Sequence, residues 1–180
     1  LNIKTYHNKI VKMDTIDKIN KLSRSEFVEV FANIFEKTKW IAEKLYNQNP
    51  FDSFEDLCSK MLGIFKTASK EAQLKILKAH PDLADKATVN SFTINSLTEQ
   101  SNAGLDQCSE EEFNEFKNLN KAYKQKYGFP FIIAVKGKNK IEILSDFKKR
   151  ILNSVDEEFN EAIIQVGKIA NLRLNEINIK

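Results

Sequence analysis

Apolar residues recur along this chain at helical spacing, and one local device marks the start of most runs. A serine is followed three residues later by an acid, and then by an apolar stripe. Such a pair predicts a capping box: the hydroxyl takes a free backbone N–H and the acid reaches back to the cap. Ser23-x-x-Glu26 opens a segment with Phe27, Val30, Phe31, Ile34 and Phe35 on one face. The pattern continues, with a break near Lys39, through Trp40, Ile41 and Leu45 to Asn49-Pro50. Ser53-x-x-Asp56 opens a second helix, with Phe54, Leu57, Met61, Leu62 and Phe65 spaced for one face. Ser69 starts a third, carrying Ala72, Leu74, Ile76 and Leu77 up to His80. Pro81 disfavours helical geometry at His80, so the helix is expected to end there.

Residues 84–95 are polar and β-branched and read as a loop. Ser96-x-x-Glu99 reads as another box, opening a short helix that Gly104 stops. Ser109-x-x-Glu112 opens a longer one with Phe113, Phe116, Leu119 or Asn120, Tyr123 and Tyr127, ended by Gly128 and Pro130. Residues 131–135 form a short apolar run that reads as a buried extended segment. Ile141 to Leu152 is expected to be helical. Ser154-x-x-Glu157 opens the last helix, with Phe159, Ala162, Ile163, Val166, Ile169 and Ala170 on its buried stripe. The sum is an all-α, single-domain bundle of about seven to eight helices, with one short extended segment near residues 129–135. Residues 1–18 read as a leader or flexible arm and 19–180 as the helical domain.

Composition agrees with this. The 180 residues hold 5 Gly and 3 Pro against 13 Phe, few breakers and many large apolar groups. Folding a chain of this length buries roughly 70% of the surface its unfolded form exposes, enough for a sheltered pocket. The formal charge is only +3, from 28 basic and 25 acidic groups, so nothing marks a phosphate-binding surface and no nucleic-acid partner is expected. No apolar stretch is long enough to span a bilayer, and no membrane partner is expected. Cys58 and Cys108 match no zinc or redox spacing and read as free thiols in a reducing compartment. A cytoplasmic protein is the expectation.

Few residues carry evident chemistry. His7 lies in the arm, which leaves His80 as the candidate side chain that titrates near neutrality. Its position at a helix end suits either an imidazole aimed into a cleft or one that stabilises the helix dipole. Glu99 and Gln100 follow Ser96 in what reads as a first helical turn. They close a capping box or form a polar cluster where free N–H groups favour anions. The arginines are only Arg24, Arg150 and Arg173. Arg173 lies between two leucines of the last stripe, as a fork for a planar anion or as a surface cation near a helix C-terminus. The segment from Phe129 to Ala134 could meet a ligand only through its backbone N–H groups. Glycine-rich phosphate loops, dinucleotide fingerprints and metal-ligand spacings are absent from the sequence.

At these residues the sequence resembles the 2-oxo-4-hydroxy-4-carboxy-5-ureidoimidazoline (OHCU) decarboxylase family of uric acid breakdown. The marks are His80-Pro81-Asp82-Leu83-Ala84, then Ser96-Leu97-Thr98-Glu99-Gln100-x-x-Ala103-Gly104-Leu105. Tyr127-Gly128-Phe129-Pro130-Phe131-Ile132 and Ile169-Ala170-x-Leu172-Arg173-Leu174 follow. Upstream, Phe27-Val28, Ile34-Phe35-Glu36, Trp40-Ile41-Ala42 and Pro50-Phe51 agree as well, so the resemblance runs from about Ile19 to Ile177. The chain departs at Asn49, where the family often has Arg, and at Lys39, where it often has Pro.

The resemblance implies an all-helical homodimer that needs no cofactor and no metal. It implies a small-molecule pocket with His80 and Glu99 as catalytic residues, and Pro81, Ser96, Gln100, Phe131, Ile132, Ile133, Ala134 and Arg173 as substrate-binding ones. His80 is the implied acid/base; Glu99 orients it or binds substrate N–H groups; Arg173 clamps a carbonyl or the carboxylate. Ser96, Gln100 and the backbone of Ile132 to Ala134 hold the ring and ureido group, and the product is S-allantoin. Two other readings fit the helical pattern: a non-catalytic helical interaction module, and a decarboxylase of a related ureido or imidazoline acid.

Overall fold

Helices form where the stripes predict them, and where they stop explains more than where they start. The computed structural model describes residues 15–85 and 92–177. All the regular structure among them is helical: α1 (residues 15–20), α2 (Arg24–Phe31), α3 (Lys39–Tyr46), α4 (Phe54–Lys66), α5 (Lys70–Ala79), α6 (Ile94–Asn102), α7 (Glu110–Tyr127), α8 (Lys140–Arg150) and α9 (Val155–Asn175), with a 3-10 turn at Leu105–Gln107. No helix of the described residues is long and apolar enough to cross a membrane. The chain divides into two compact units, one of residues up to Ala68 with those from Ala170 onward, the other Ser69–Ile169. The expected arm, 1–18, lies mostly outside the described residues; its last part begins α1, where Ile16 is buried.

In the first unit, Phe27 packs against Phe31, Tyr46 and Phe51, with ring centroids 4.5, 5.5 and 5.9 Å away. Asn20 fixes the turn before α4: its amide donates to the Phe51 carbonyl and accepts the Phe51 N–H, each at 2.9 Å. The predicted break near Lys39 comes earlier, and α2 ends at Phe31. The reason is visible in the next turn. Ile34, Phe35 and Glu36 are all buried. Three successive helical side chains fan over about 200° of the helix circumference and cannot all face inward. The chain leaves the helix instead, with Lys37 in the left-handed region at φ 49. Val30, expected inside, is exposed, and Val28 takes the buried place.

In the second unit the boxes at Ser109 and Ser154 form as expected. Gly128, at φ 78, closes α7 in a conformation that costs other residues more. The expected box at Ser96 does not form. Thr93 is the cap of α6, accepting the Ser96 N–H, and Ser96 lies inside the first turn with its side chain buried. Of the expected loop 84–95, residues 86–91 lie outside the described part and Ile94 is already helical. The helix expected over Ile141 to Leu152 runs Lys140–Arg150, boxed by Asn139 and Glu142. The expected extended segment has a bend at Phe129 and no regular secondary structure or sheet partner over 130–135 among the described residues, and Phe129, Phe131, Ile132, Ile133 and Val135 are buried. Along α9 the predicted stripe is buried at Ala162, Val166, Ile169 and Ala170, while Phe159 and Ile163 are half-buried. Glu158, Gln165 and Arg173 are buried on the same helix.

Two outcomes test this account of the helix starts. Thr93→Ala is expected to cost about 1 kcal/mol in urea unfolding and Ser96→Ala less; the reverse order would return the cap to Ser96. Lys140, with the Ser109 N–H, holds the half-buried Glu112 carboxyl below its ordinary 4.5. A carboxyl lowered in the fold contributes fully above the unfolded value and loses that contribution as pH falls through the folded one. The stability lost in Lys140→Met should therefore fade between neutral pH and acid below 4.5, measured as the shift in urea midpoint.

Candidate active site

His80 ends α5, at φ −70 and ψ 143, the extended geometry that Pro81 imposes on its neighbour. Its ring is 9% exposed, and Nδ1 lies 2.9 Å from the carbonyl oxygen of Ile76, one turn back. A carbonyl only accepts, so Nδ1 carries the hydrogen. In the neutral ring Nε2 is then the basic nitrogen. The same bond to a last-turn carbonyl also fits the other reading of His80, a histidine that stabilises its helix end.

The chain after His80 is held from two helices. The Gln100 side chain of α6 accepts the Ala84 N–H at 3.0 Å and donates to the Asp82 carbonyl at 3.2 Å. From α7, Asn120 donates to the Leu83 carbonyl at 2.9 Å, and Lys124 pairs with Asp82. These bonds hold Ala84 at φ 53, a conformation an alanine does not take unforced. The structure thus brings the His80-Pro81 turn and α6 together. Ser96, Glu99 and Gln100 share one face of α6 by their i, i+3, i+4 spacing; Ser96 and Gln100 are buried and Glu99 is half-buried. Since Thr93 caps the helix, neither Ser96 nor Glu99 is needed for a capping box.

The 131–134 stretch is held by two other side chains. Arg150 donates from Nη1 to the Ile132 carbonyl at 2.8 Å, and its guanidinium carbon lies 4.5 Å from the centre of the Phe131 ring. Gln165 accepts the Ala134 N–H at 2.9 Å and donates to Glu161 at 2.7 Å. Among the described residues no acceptor takes the N–H of Ile132 or of Ile133. Behind Arg150 stands Glu158, whose side chain has no exposure. It accepts from Arg150 Nε at 3.0 Å, from Asn153 Nδ2 at 2.7 Å and from the Tyr123 hydroxyl. Burial, and then the Glu158 carboxylate, push the Tyr123 phenol far above its ordinary value, so it stays a donor.

In the other unit, Arg173 donates from Nη1 to Glu36 Oε2 and to the Asn33 carbonyl, both at 3.2 Å. The side chains of Arg173 and Glu36 are 3% and 0% exposed, so the reading of Arg173 as a surface cation does not hold. Glu36 is the buried charge that pattern reading passes over. Its signal is an acid directly after Ile34-Phe35 where a helix is expected to continue. Arg150 carried the same signal as Arg173, a rare arginine in a lysine-rich chain.

A cavity of about 860 Å³ lies beside α7, lined by Asp82, Ala84, Cys108, Phe113, Lys117 and Asn120 among others. None of the residues expected to bind substrate lines it. Among the described residues, no three His, Cys, Asp or Glu side chains gather as a metal site requires.

Comparison with known proteins adds an independent line. The family model described as OHCU decarboxylase matches residues 20–175. A 2-oxo-4-hydroxy-4-carboxy-5-ureidoimidazoline decarboxylase of Haloferax volcanii is 38% identical, over 90% of this chain and 95% of its own length. A uric acid degradation bifunctional protein of a Bacillus species is 39% identical over 92% of this chain but only 32% of its own length. The chain thus spans about a third of the bifunctional relatives it matches. A crystal structure of (S)-allantoin synthase superposes with a TM-score of 0.71 at 27% identity, covering 89% of this chain and 52% of that one.

The pairing of Arg173 gives a direct test. Glu36→Ala strands a buried guanidinium and is expected to cost about 3–5 kcal/mol in denaturant unfolding. A loss under about 1 kcal/mol, the range of an exposed pair, would mean that Glu36 does not balance that charge.

Proposed function

The chain belongs to the OHCU decarboxylase family, and we propose that it converts 2-oxo-4-hydroxy-4-carboxy-5-ureidoimidazoline to (S)-allantoin and carbon dioxide, a step of urate breakdown. One observation carries the reading at the level of atoms: the buried His80 ring, pinned through Nδ1 at the mouth of a braced turn, in a chain collinear with the family over 20–175.

The chemistry asks little beyond placement. The substrate carboxylate sits on a ring carbon beside a C=N bond. When the bond to carbon dioxide breaks, its electron pair passes into that neighbouring bond, which serves as the sink, so the reaction uses no cofactor or metal. The protein must orient the carboxylate, stabilise the developing charge and bring a proton to one face. An imidazole moves a proton well near neutral pH, and His80 does so through Nε2, which takes a proton from solvent before the reaction and gives it up as the carbon–carbon bond breaks. Glu99, with Ser96 and Gln100 on the same face of α6, holds the imidazole's orientation or the substrate's N–H groups. Gln100 also works at one remove, since its amide braces the turn that follows His80. Pro81 sets the angle at which the chain leaves the ring. The backbone of Phe131 to Ala134 binds the ring and ureido oxygens. Ala134 shares its N–H with Gln165, so the N–H groups of Ile132 and Ile133 are the principal donors. Arg173, stiffened by Glu36, is the fork for the carboxylate or a carbonyl. Proton delivery from one fixed side yields the S form. The enzyme works as a homodimer in the cytoplasm.

His80→Asn is expected to lower kcat by about 10²-fold or more while the far-ultraviolet spectrum stays that of the folded chain. The assay follows carbon dioxide release and the enantiomeric excess of allantoin, because the uncatalysed reaction gives both hands. Near-normal kcat would remove His80 from proton transfer. A racemic product from the unaltered chain would remove the activity itself.

A further inference from the structure

We propose that Arg150 is a positioning residue for the substrate-binding backbone, acting through the carbonyl of Ile132. The inference rests on the decarboxylase reading and deepens it, by naming what aims the donors of the 131–134 stretch.

The argument starts from the peptide unit. The Ile132 carbonyl and the Ile133 N–H lie in one plane and point in opposite directions. A bond that fixes the carbonyl therefore fixes the N–H. Arg150 Nη1 makes that bond at 2.8 Å, and no acceptor among the described residues takes the Ile133 N–H on the opposite side. Ile133 is buried, and a buried N–H without a partner is costly unless something else comes to meet it. A substrate oxygen is the acceptor the proposed reaction supplies.

A carbonyl in a segment outside regular secondary structure is free to rock unless its partner is rigid, and Arg150 is held on several sides. Its guanidinium lies on the Phe131 ring, which also stacks on Phe147 at 3.9 Å. Its Nε and Nη2 are taken by Glu158, and Glu158 is itself fixed by Asn153 and Tyr123. No strand neighbours residues 129–135 among the described residues, so these side chains do the work that a sheet ladder does elsewhere. Lysine could supply the charge but not the geometry, since one ammonium cannot reach the carbonyl and both carboxylate oxygens as a planar fork does.

The test uses three proteins and two readouts. Arg150→Lys keeps a cation beside Glu158. Leu57→Val removes a methylene from the buried face of α4 and leaves Arg150, Glu158 and Tyr123 in place. Steady-state kinetics are expected to give Arg150→Lys a KM raised about tenfold, the size of one lost hydrogen bond to a charged group. Leu57→Val should unfold at lower denaturant and keep its KM. The second readout is direct. Ile-Ile steps occur only at 132–133 and 163–164. Labelling isoleucine with ¹³C at the carbonyl and ¹⁵N therefore isolates the amide signals of Ile133 and Ile164 by their one-bond coupling. Ile164 is exposed on α9 and serves as the internal control. (S)-Allantoin should shift Ile133 and not Ile164. Arg150→Lys should displace the ligand-free Ile133 signal and shrink its response. An Ile133 signal unmoved by Arg150→Lys, or an unchanged KM, overturns the positioning role and leaves the decarboxylase reading standing. An unaltered chain inert toward the substrate overturns that reading, and the inference with it.

Discussion

A carboxylate withdrawn from water must find its counter-charge inside the protein, and this chain sets that condition twice. Glu36 and Glu158 are both fully buried, and each is met by an arginine: Arg173 in one unit, Arg150 in the other. The chain has only three arginines against many lysines, so two of the three serve buried acids. Such pairs are weak contributors to net stability, because desolvation cancels much of the attraction. Their effect is on geometry. Each pair fixes a polar group where no regular structure would: Arg173 on the Asn33 carbonyl at the end of α2, Arg150 on the Ile132 carbonyl of the 131–134 stretch.

The helical class was legible because it depends on local pattern. Boxes at Ser23, Ser109 and Ser154 formed where the spacing placed them, and Phe27, Leu57, Phe65, Phe116 and Val166 are buried on the expected faces. Two kinds of feature were not legible. One was competition between adjacent caps: Thr93 and Ser96 are both good cap residues, and only the path of the preceding loop decides between them. The other was burial of charge. Periodicity counts Glu36 and Glu158 as polar and so assigns them outward, whereas an arginine more than a hundred residues away in sequence, or one helix back, turns them inward.

The candidate site followed the same division. His80 was visible from composition alone, and its termination of α5 from Pro81. The bracing around it was not. Gln100 was expected to face a ligand, and its amide also bonds the Asp82 carbonyl and the Ala84 N–H. Asn120 and Lys124 hold the same turn from α7. A side chain that bonds backbone leaves no trace in periodicity, because any residue type offers the same carbonyl.

In the proposed reaction, the bond from His80 to Ile76 has a consequence for proton traffic. An imidazole exposed at both nitrogens can pass a hydrogen in at one side and out at the other, as a relay does. This ring has one side committed to its own helix, so it has a single working door. Whatever it donates must be replenished through the same atom, after the product has moved aside. The histidine is therefore a store holding one hydrogen and not a wire, and each turnover must leave it as it was found.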